Sequence, residues 1–384
     1  MAARIVLFGA TGYTGALTAE ALVAAGARPV LAGRSADRLA ALAARLGGLD
    51  TAVADVERPD TVAALVDRGD VLLTTVGPFG RHGAPAVEAA INRGTAYIDS
   101  TGEPAFIRRV FEEWGPRAAI AGCGMVTACG ADFVPGNLAG ALALDRAGER
   151  ATRVDIGYFA TGSKRNAFSG GTMASIALAG RSPGHAFHDG RLLSERGSTR
   201  VRTFEVDGEE LSALSIGASE QFALPRYRPG LREVDVYLGW FGKATRAVQA
   251  VAKAGAALER VPTAGAMNAL EQLPGVSAGV QQLKEQLSSR LDRGSTGGPS
   301  ADQRARSGTL VVAIASDVAG AALAEVRLTG VNGYTYTAEM LAWAAIRAAE
   351  HGLMGTGALG PIEAFGLEAL SAGSLASGLA PTAS

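Results

Sequence analysis

Three glycines, in the order Gly9-Ala10-Thr11-Gly12-Tyr13-Thr14-Gly15, stand between an apolar run and a helical one. Glycine permits a tight turn and lets backbone approach a phosphate closely, and a helix start offers unpaired N–H groups at the positive end of its dipole. Thr11 and Thr14 add hydroxyl donors. The loop suits a dinucleotide diphosphate. The spacing alone also fits a plain strand-to-helix turn, but its place in the first βα turn of a βαβ unit favours the dinucleotide. The next apolar run ends in Gly33-Arg34-Ser35, without the acid that would hold a free ribose 2′-hydroxyl. A guanidinium beside a small hydroxyl suits a 2′-phosphate, so the expected cofactor is NADP(H) rather than NAD. The alternative for Arg34 is a solvated residue at a helix start. Asp55 and Val56, just past the third strand, are placed to meet the adenine. Gly77, Pro78 and Phe79 leave the fourth strand where the ribose and nicotinamide belong.

The elements that position these residues follow from periodicity. Arg4–Phe8, Pro29–Gly33, Thr51–Ala54, Val71–Val76 and Thr95–Ile98 read as strands. Tyr13–Ala25, Ala36–Leu46, Thr61–Asp67 and Pro85–Asn92 read as the intervening helices. Wholly apolar strands alternating with helices mean a parallel sheet covered on both faces, a Rossmann-type α/β domain over 1–130. Beyond it, Val154–Phe159, Thr203–Val206, Leu211–Ile216, Glu233–Trp240, Leu310–Ala315 and Leu323–Leu328 read as strands without interposed helices. Asp207-Gly208 and Asp317–Gly320 are hairpin signals. An α+β domain is therefore expected over 131–334, with helices near 170–179 and 244–292 and a loop over 290–308. Thr337–Glu350 reads as a helix. Residues 335–370 are expected to pack back on the first domain, and 371–384 to be a frayed tail.

Composition removes several classes. The 384 residues are 48% hydrophobic, enough for a core without disulfide or metal staples. A net charge of −1 argues against nucleic-acid binding. No apolar run reaches the roughly 18 residues of a membrane span, and no leader pattern precedes the first strand, so a cytoplasmic protein is expected. Cys123 and Cys129 do not have zinc spacing. His185, His188 and Asp189 lack an evident third ligand, so no metal site is expected. None of the four lysines follows a tyrosine by four residues, which excludes the Tyr-x-x-x-Lys pair of short-chain dehydrogenases. Gly180-Arg181-Ser182-Pro183-Gly184 has nucleophile-elbow spacing, but Pro183 has no N–H for an oxyanion hole.

The glycine loop, Val76-Gly77-Pro78-Phe79 and Tyr97-Ile98-Asp99-Ser100-Thr101-Gly102-Glu103 together resemble the saccharopine dehydrogenase-like reductases, including the bacterial trans-acting enoyl reductases. Cys129–Leu138 resembles that family's Cys-Gly-Phe-Asp-Ser-x-Pro-Ser-Asp-Leu segment, with Ala131, Phe133 and Asn137 in place of Phe, Ser and Asp. Ser169-Gly170-Gly171-Thr172 and Tyr334–Ala345 also resemble family segments. His82 stands where the family more often has Tyr. The resemblance implies an NADPH-dependent reductase of an activated double bond, enoyl C=C ahead of imine C=N. The second domain reads as short for saccharopine itself.

Such chemistry needs a proton donor or a carboxylate near the nicotinamide. His82, Glu103 and Asp132 are the catalytic candidates, with Tyr97, Asp99, Thr101 and Tyr158 beside them. Each has a plainer alternative: a loop histidine for His82, a helix cap or interdomain ion pair for Glu103, a structural cap for Asp132. Arg181, Arg191, Arg196, Arg200 and Arg202 could seat an anionic substrate handle, but a solvated face is favoured. The expected partner is a small molecule, a thioester or an imine, and a homodimer is left open. A second class stays open too, a non-catalytic NADP sensor or association module.

Overall fold

Ile5–Phe8 is four apolar residues, all buried, and forms β1 at the centre of the first sheet. A computed structural model describes residues 3–162, 184–240, 245–246, 249–250 and 297–382. Beside β1 lie β2 (Val30–Gly33) and β4 (Val71–Thr74), both parallel to it, with Val6 opposite Val30 on one side and Leu72 on the other. β3 (Thr51–Val53) extends the sheet beyond β2, and β5 (Ala96–Asp99) and β6 (Gly124–Val126) extend it beyond β4. The second sheet is built from β7 (Arg153–Gly162), β8 (Gly184–His188), β9 (Arg191–Glu195), β10 (Val201–Val206), β11 (Glu209–Ile216), β12 (Glu233–Leu238), β13 (Ser307–Ser316) and β14 (Ala322–Val331). The chain then returns to both sheets. β15 (Gly357–Ala358) pairs with β6, and β16 (Leu379–Pro381) pairs with β14.

Among the described residues the first sheet thus has seven parallel strands in the order β15-β6-β5-β4-β1-β2-β3, the dinucleotide-binding order with one strand added. The second is a mixed sheet of nine, its main path β10-β11-β12-β7-β13-β14-β16. There β7 and β12 run parallel, and the hairpins β10–β11 and β13–β14 are antiparallel. The two-residue turn Asp207-Gly208 has both φ angles positive, at 54° and 79°. That is the geometry which matches strand twist in a tight hairpin.

The crossover between the sheets is the helix Val134–Ala147. Its opening Val-Pro-Gly-Asn reads as loop by composition, yet Pro sits in the first turn, where its missing N–H costs nothing. The sequence reading contains neither this helix nor β6, which at three residues is too short to show a period. The helix Gly333–His351 packs along Tyr13–Ala24 and touches β1, β4 and β5. Residues 371–382 are built into the fold, against the frayed tail expected over 371–384. A helix runs over Leu367–Ala376, Ser374 is buried beside the Tyr336 hydroxyl, and Leu379 is buried in the sheet. An uncharged tail of small residues is held by tertiary contacts that composition does not display.

The helices expected near 170–179 and over most of 244–292, the turn Ser169–Thr172, and Arg181, Ser182 and Pro183 lie outside the described residues. No helix among the described residues is long and apolar enough to cross a membrane.

Candidate functional site

Every residue expected to meet the cofactor lies at the carboxyl edge of the first sheet, where β1 to β4 end. Gly9 ends β1 with φ at 92°, and the Gly12 N–H donates to the Gly9 carbonyl at 2.9 Å. Gly15 packs so closely beneath this turn that a Cβ on it would fall 2.2 Å from the Gly9 oxygen. The helix Tyr13–Ala24 therefore starts against the strand end with Gly12 as its N-cap, without a capping side chain and without an acid in its first turn. Its first N–H groups are left for a ligand, and the positive dipole end is unopposed. A diphosphate fits this site.

Arg34 follows β2, is exposed, and makes no hydrogen bond or ion pair among the described residues. Ser35 is the N-cap of the next helix, and its hydroxyl makes no capping bond. Both are free for a 2′-phosphate. Arg38, which the sequence reading passes over, stands one helical turn from Arg34 and donates to the Thr11 carbonyl at 2.5 Å. The i,i+4 spacing of two arginines at a helix start was the available signal. Past β3, Asp55 accepts from the Glu57 N–H at 3.1 Å, leaving carboxylate capacity for an adenine amine, and Val56 packs on the core.

The turn after β4 carries a cis Gly77–Pro78 bond and leads into the short helix Phe79–His82. Here Glu103 is engaged by the backbone of that helix. Its two carboxylate oxygens accept the Phe79 and Gly80 N–H groups at 2.7 and 2.9 Å, and the residue is buried. It holds the turn after β4, the capping role named above as its alternative. Asp99 likewise accepts from the Thr101 and Ala128 N–H groups and from the Thr127 hydroxyl. Burial nonetheless pushes its carboxyl up to about 6. His82 is half-buried, and its imidazole is held below the usual value by burial and then by Arg81 and Arg34. Its charged neighbours include Arg34 and Glu57, at the ends of β2 and β3. Glu103, which holds the turn after β4, is a further charged neighbour.

Asp132 is placed otherwise. It lies in the crossover after β6, against Gly102 beyond β5, where a Cβ would fall 2.9 Å from Asp132 Oδ2. Half-buried and without a hydrogen-bond partner among the described residues, its carboxyl is raised by burial to about 6. Behind it lies a polar cluster. The Tyr158 hydroxyl accepts from the Gly136 N–H at 2.8 Å and shares a 2.6 Å hydrogen bond with Glu220 Oε1. Asn137 donates to the Phe133 carbonyl and the Ser219 hydroxyl, both at 2.9 Å. Glu220 is fully buried, its Oε2 has no partner, and burial raises its carboxyl to about 8. No sequence signal pointed to Glu220. It lies where the family resemblance is thinnest, and only the fold buries it.

A group whose folded value is raised stabilises the fold fully below its unfolded value, and that stability is lost as pH rises through the folded one. For Glu220 the window runs from the ordinary carboxyl range to about 8, at about 1.4 kcal/mol per pH unit before relaxation. Glu220→Gln should therefore melt increasingly above the wild type between pH 5 and pH 8, with the gap closing at lower pH. A pH-independent gap in thermal melts would show that Glu220 is not buried as a neutral acid.

Of the arginines weighed as an anion seat, Arg200 and Arg202 are tied to acids, while Arg191 is exposed. Arg153 and Arg202 pair with the buried Asp155, and Arg153 and Arg200 with the buried Asp235. His188 meets Glu233 and Asp235, a grouping that leaves out His185 and Asp189. Arg200 holds Asp235 at 2.5 Å and Glu195 at 2.9 Å, so these acids are joined in a salt network.

Comparison with known proteins agrees with this geometry. Residues 5–117 match the family model described as the saccharopine dehydrogenase NADP binding domain. A Mycobacterium tuberculosis protein provisionally named a trans-acting enoyl reductase is 43% identical over 184 residues, 45% of this chain and 43% of that protein. The trans-acting enoyl reductase of Mycobacterium leprae is 46% identical over 140 residues, 35% of this chain and 34% of that protein. The chain thus spans under half the length of the curated relatives it matches. Among solved structures, apo saccharopine dehydrogenase (L-Glu forming) of Saccharomyces cerevisiae aligns over 99% of both chains, with a TM-score of 0.58 at 14% identity. That likeness concerns the fold alone. It also corrects the expectation that this second domain is short beside such an enzyme.

Proposed function

We propose that this chain, whose residues 5–117 belong to the saccharopine dehydrogenase NADP-binding domain family, is an NADPH-dependent oxidoreductase that reduces the C=C bond of an enoyl thioester. The observation that carries the reading is Asp132. It is a carboxyl raised to about 6, without a hydrogen-bond partner among the described residues, at the sheet edge beyond the turn that Glu103 holds. The names of the relatives favour the enoyl class over imines. NADPH, when bound, supplies a hydride to the β-carbon of the acceptor. The C=C electron pair then passes to the α-carbon and carbonyl oxygen as an enolate. Asp132 gives its proton to the α-carbon and is reprotonated from water. An imine would instead begin as an iminium and call for an ionised carboxylate, which Asp132 supplies above about pH 6, so the preference for the enoyl class rests on the names of the relatives. In this reading residues 1–130 hold the cofactor, 131–334 receive the thioester, and 335–370 brace the first domain.

Nicotinamide fluorescence with NADPH and NADH tests the first step, and NADPH oxidation with enoyl thioesters against imines tests the second. Binding without turnover on either class would favour a non-catalytic NADP module. Arg34→Ala should weaken NADPH by about tenfold or more while leaving NADH within about twofold, since a 2′-phosphate contact belongs to NADPH alone. Equal losses for both would remove Arg34 from the 2′-phosphate.

A further inference from the structure

We propose that Arg304, carried by the second domain, is part of the dinucleotide site and meets the cofactor's diphosphate at the glycine loop. The segment before it, from Gly297 to Ser300, crosses the start of the helix Tyr13–Ala24. The Tyr13 hydroxyl donates to the Pro299 carbonyl, and Arg304 Nη1 donates to the Tyr13 oxygen at 2.9 Å and to the Pro299 carbonyl at 3.0 Å. Gly298 lies flat on the Tyr13 ring, where a Cβ would come within 2.6 Å of a ring carbon. From the other side Tyr334 meets the same ring edge-on, with centroids 5.2 Å apart. Gly297, Thr11, Gly12 and Tyr13 line one cavity of about 270 Å³. The first residue of the phosphate-binding helix is therefore clamped by the second domain.

The charge of Arg304 is unaccounted for by this clamp. Its partners are a phenol and a carbonyl, both neutral, and it has no carboxylate partner among the described residues. Arg153, Arg200, Arg202 and Arg327 of the same domain are each paired with acids. The position of Arg304 is also built. Ser300 and Gln303 form a reciprocal capping box, with bonds of 2.8 and 3.3 Å, that starts the short helix Ala301–Ala305 bearing it. An unneutralised guanidinium fixed beside an uncapped helix N-terminus complements two negative phosphates. Both domains would then hold the cofactor, and the matched family domain, ending at residue 117, would be only part of the site.

The inference rests on the NADP-binding reading, and fluorescence titration of the intact chain separates the two. Arg304→Ala should weaken NADPH and NADH by the same factor, about tenfold, because the diphosphate is common to both. That pattern differs from the selective loss expected of Arg34→Ala. The salt dependence of binding should become shallower in Arg304→Ala, and Arg304→Lys should recover most of the affinity. Wild-type affinity for both dinucleotides in Arg304→Ala, or equal losses in the lysine and alanine variants, would overturn the proposal and leave Arg304 as a clamp on Tyr13. Failure of the wild type to bind either dinucleotide would overturn the cofactor reading itself. Arg306→Ala, an exposed neighbour, serves as the control and should bind as wild type.

Discussion

Asp132→Asn should lower the rate of enoyl thioester reduction at neutral pH by about two to four orders of magnitude, the usual contribution of a positioned general acid. NADPH affinity should stay within about twofold. Asparagine keeps the shape but has no proton to give, so a collapse in turnover with intact cofactor binding separates chemistry from architecture. The pH profile adds a second check. A general acid works while protonated, so wild-type kcat/KM should hold below the carboxyl's value of about 6 and fall as pH rises through it. The residual activity of Asp132→Asn should lack that limb. An unchanged rate and profile in the variant would pass the proton to another group, His82 first among them.

Gly15→Ala should abolish binding of both NADPH and NADH and lower the melting temperature together with it. Its Cβ would stand 2.2 Å from the Gly9 carbonyl oxygen and 2.9 Å from the Thr75 hydroxyl oxygen. The first neighbour is backbone, so no rotamer change relieves the contact, and the helix start must move off the end of β1. Overpacking of this kind costs about 1–3 kcal/mol and more where backbone must shift. The N–H groups aimed at the diphosphate move with the helix. Calorimetric titration with either dinucleotide reads the outcome. Near-normal affinity would mean that the close approach of Gly15 to Gly9 is not what shapes the phosphate seat.

The sequence made the cofactor half of the site legible because local rules govern it. A glycine loop must follow a strand and open a helix, and a specificity residue must end the second strand. Gly9 to Gly15, Arg34, Ser35 and the turn at Gly77 to Phe79 lie where those rules put them. Catalytic roles were less legible, because they depend on which carboxylates the fold leaves unpaired. Glu103 and Asp132 look alike in sequence. One accepts from two backbone amides, and the other makes no hydrogen bond among the described residues. Glu220 and Arg304 carried no sequence mark, since the burial of one and the reach of the other arise from contacts between distant segments. The C-terminal stretch misled for the same reason. Its small residues are ordered by the sheet they join.

That joining bears on how the protein is made. The edge of the first sheet at β6 is closed by Gly357–Ala358, from the far end of the chain. During synthesis the Gly124–Val126 edge emerges before Gly357–Ala358 and stays open until that segment has been made. An open strand edge is a template for other chains, and pairing between distant segments is slow. Later-made residues thus protect an earlier-made sheet, and damage at Gly357–Ala358 would be felt at the nucleotide domain's rim.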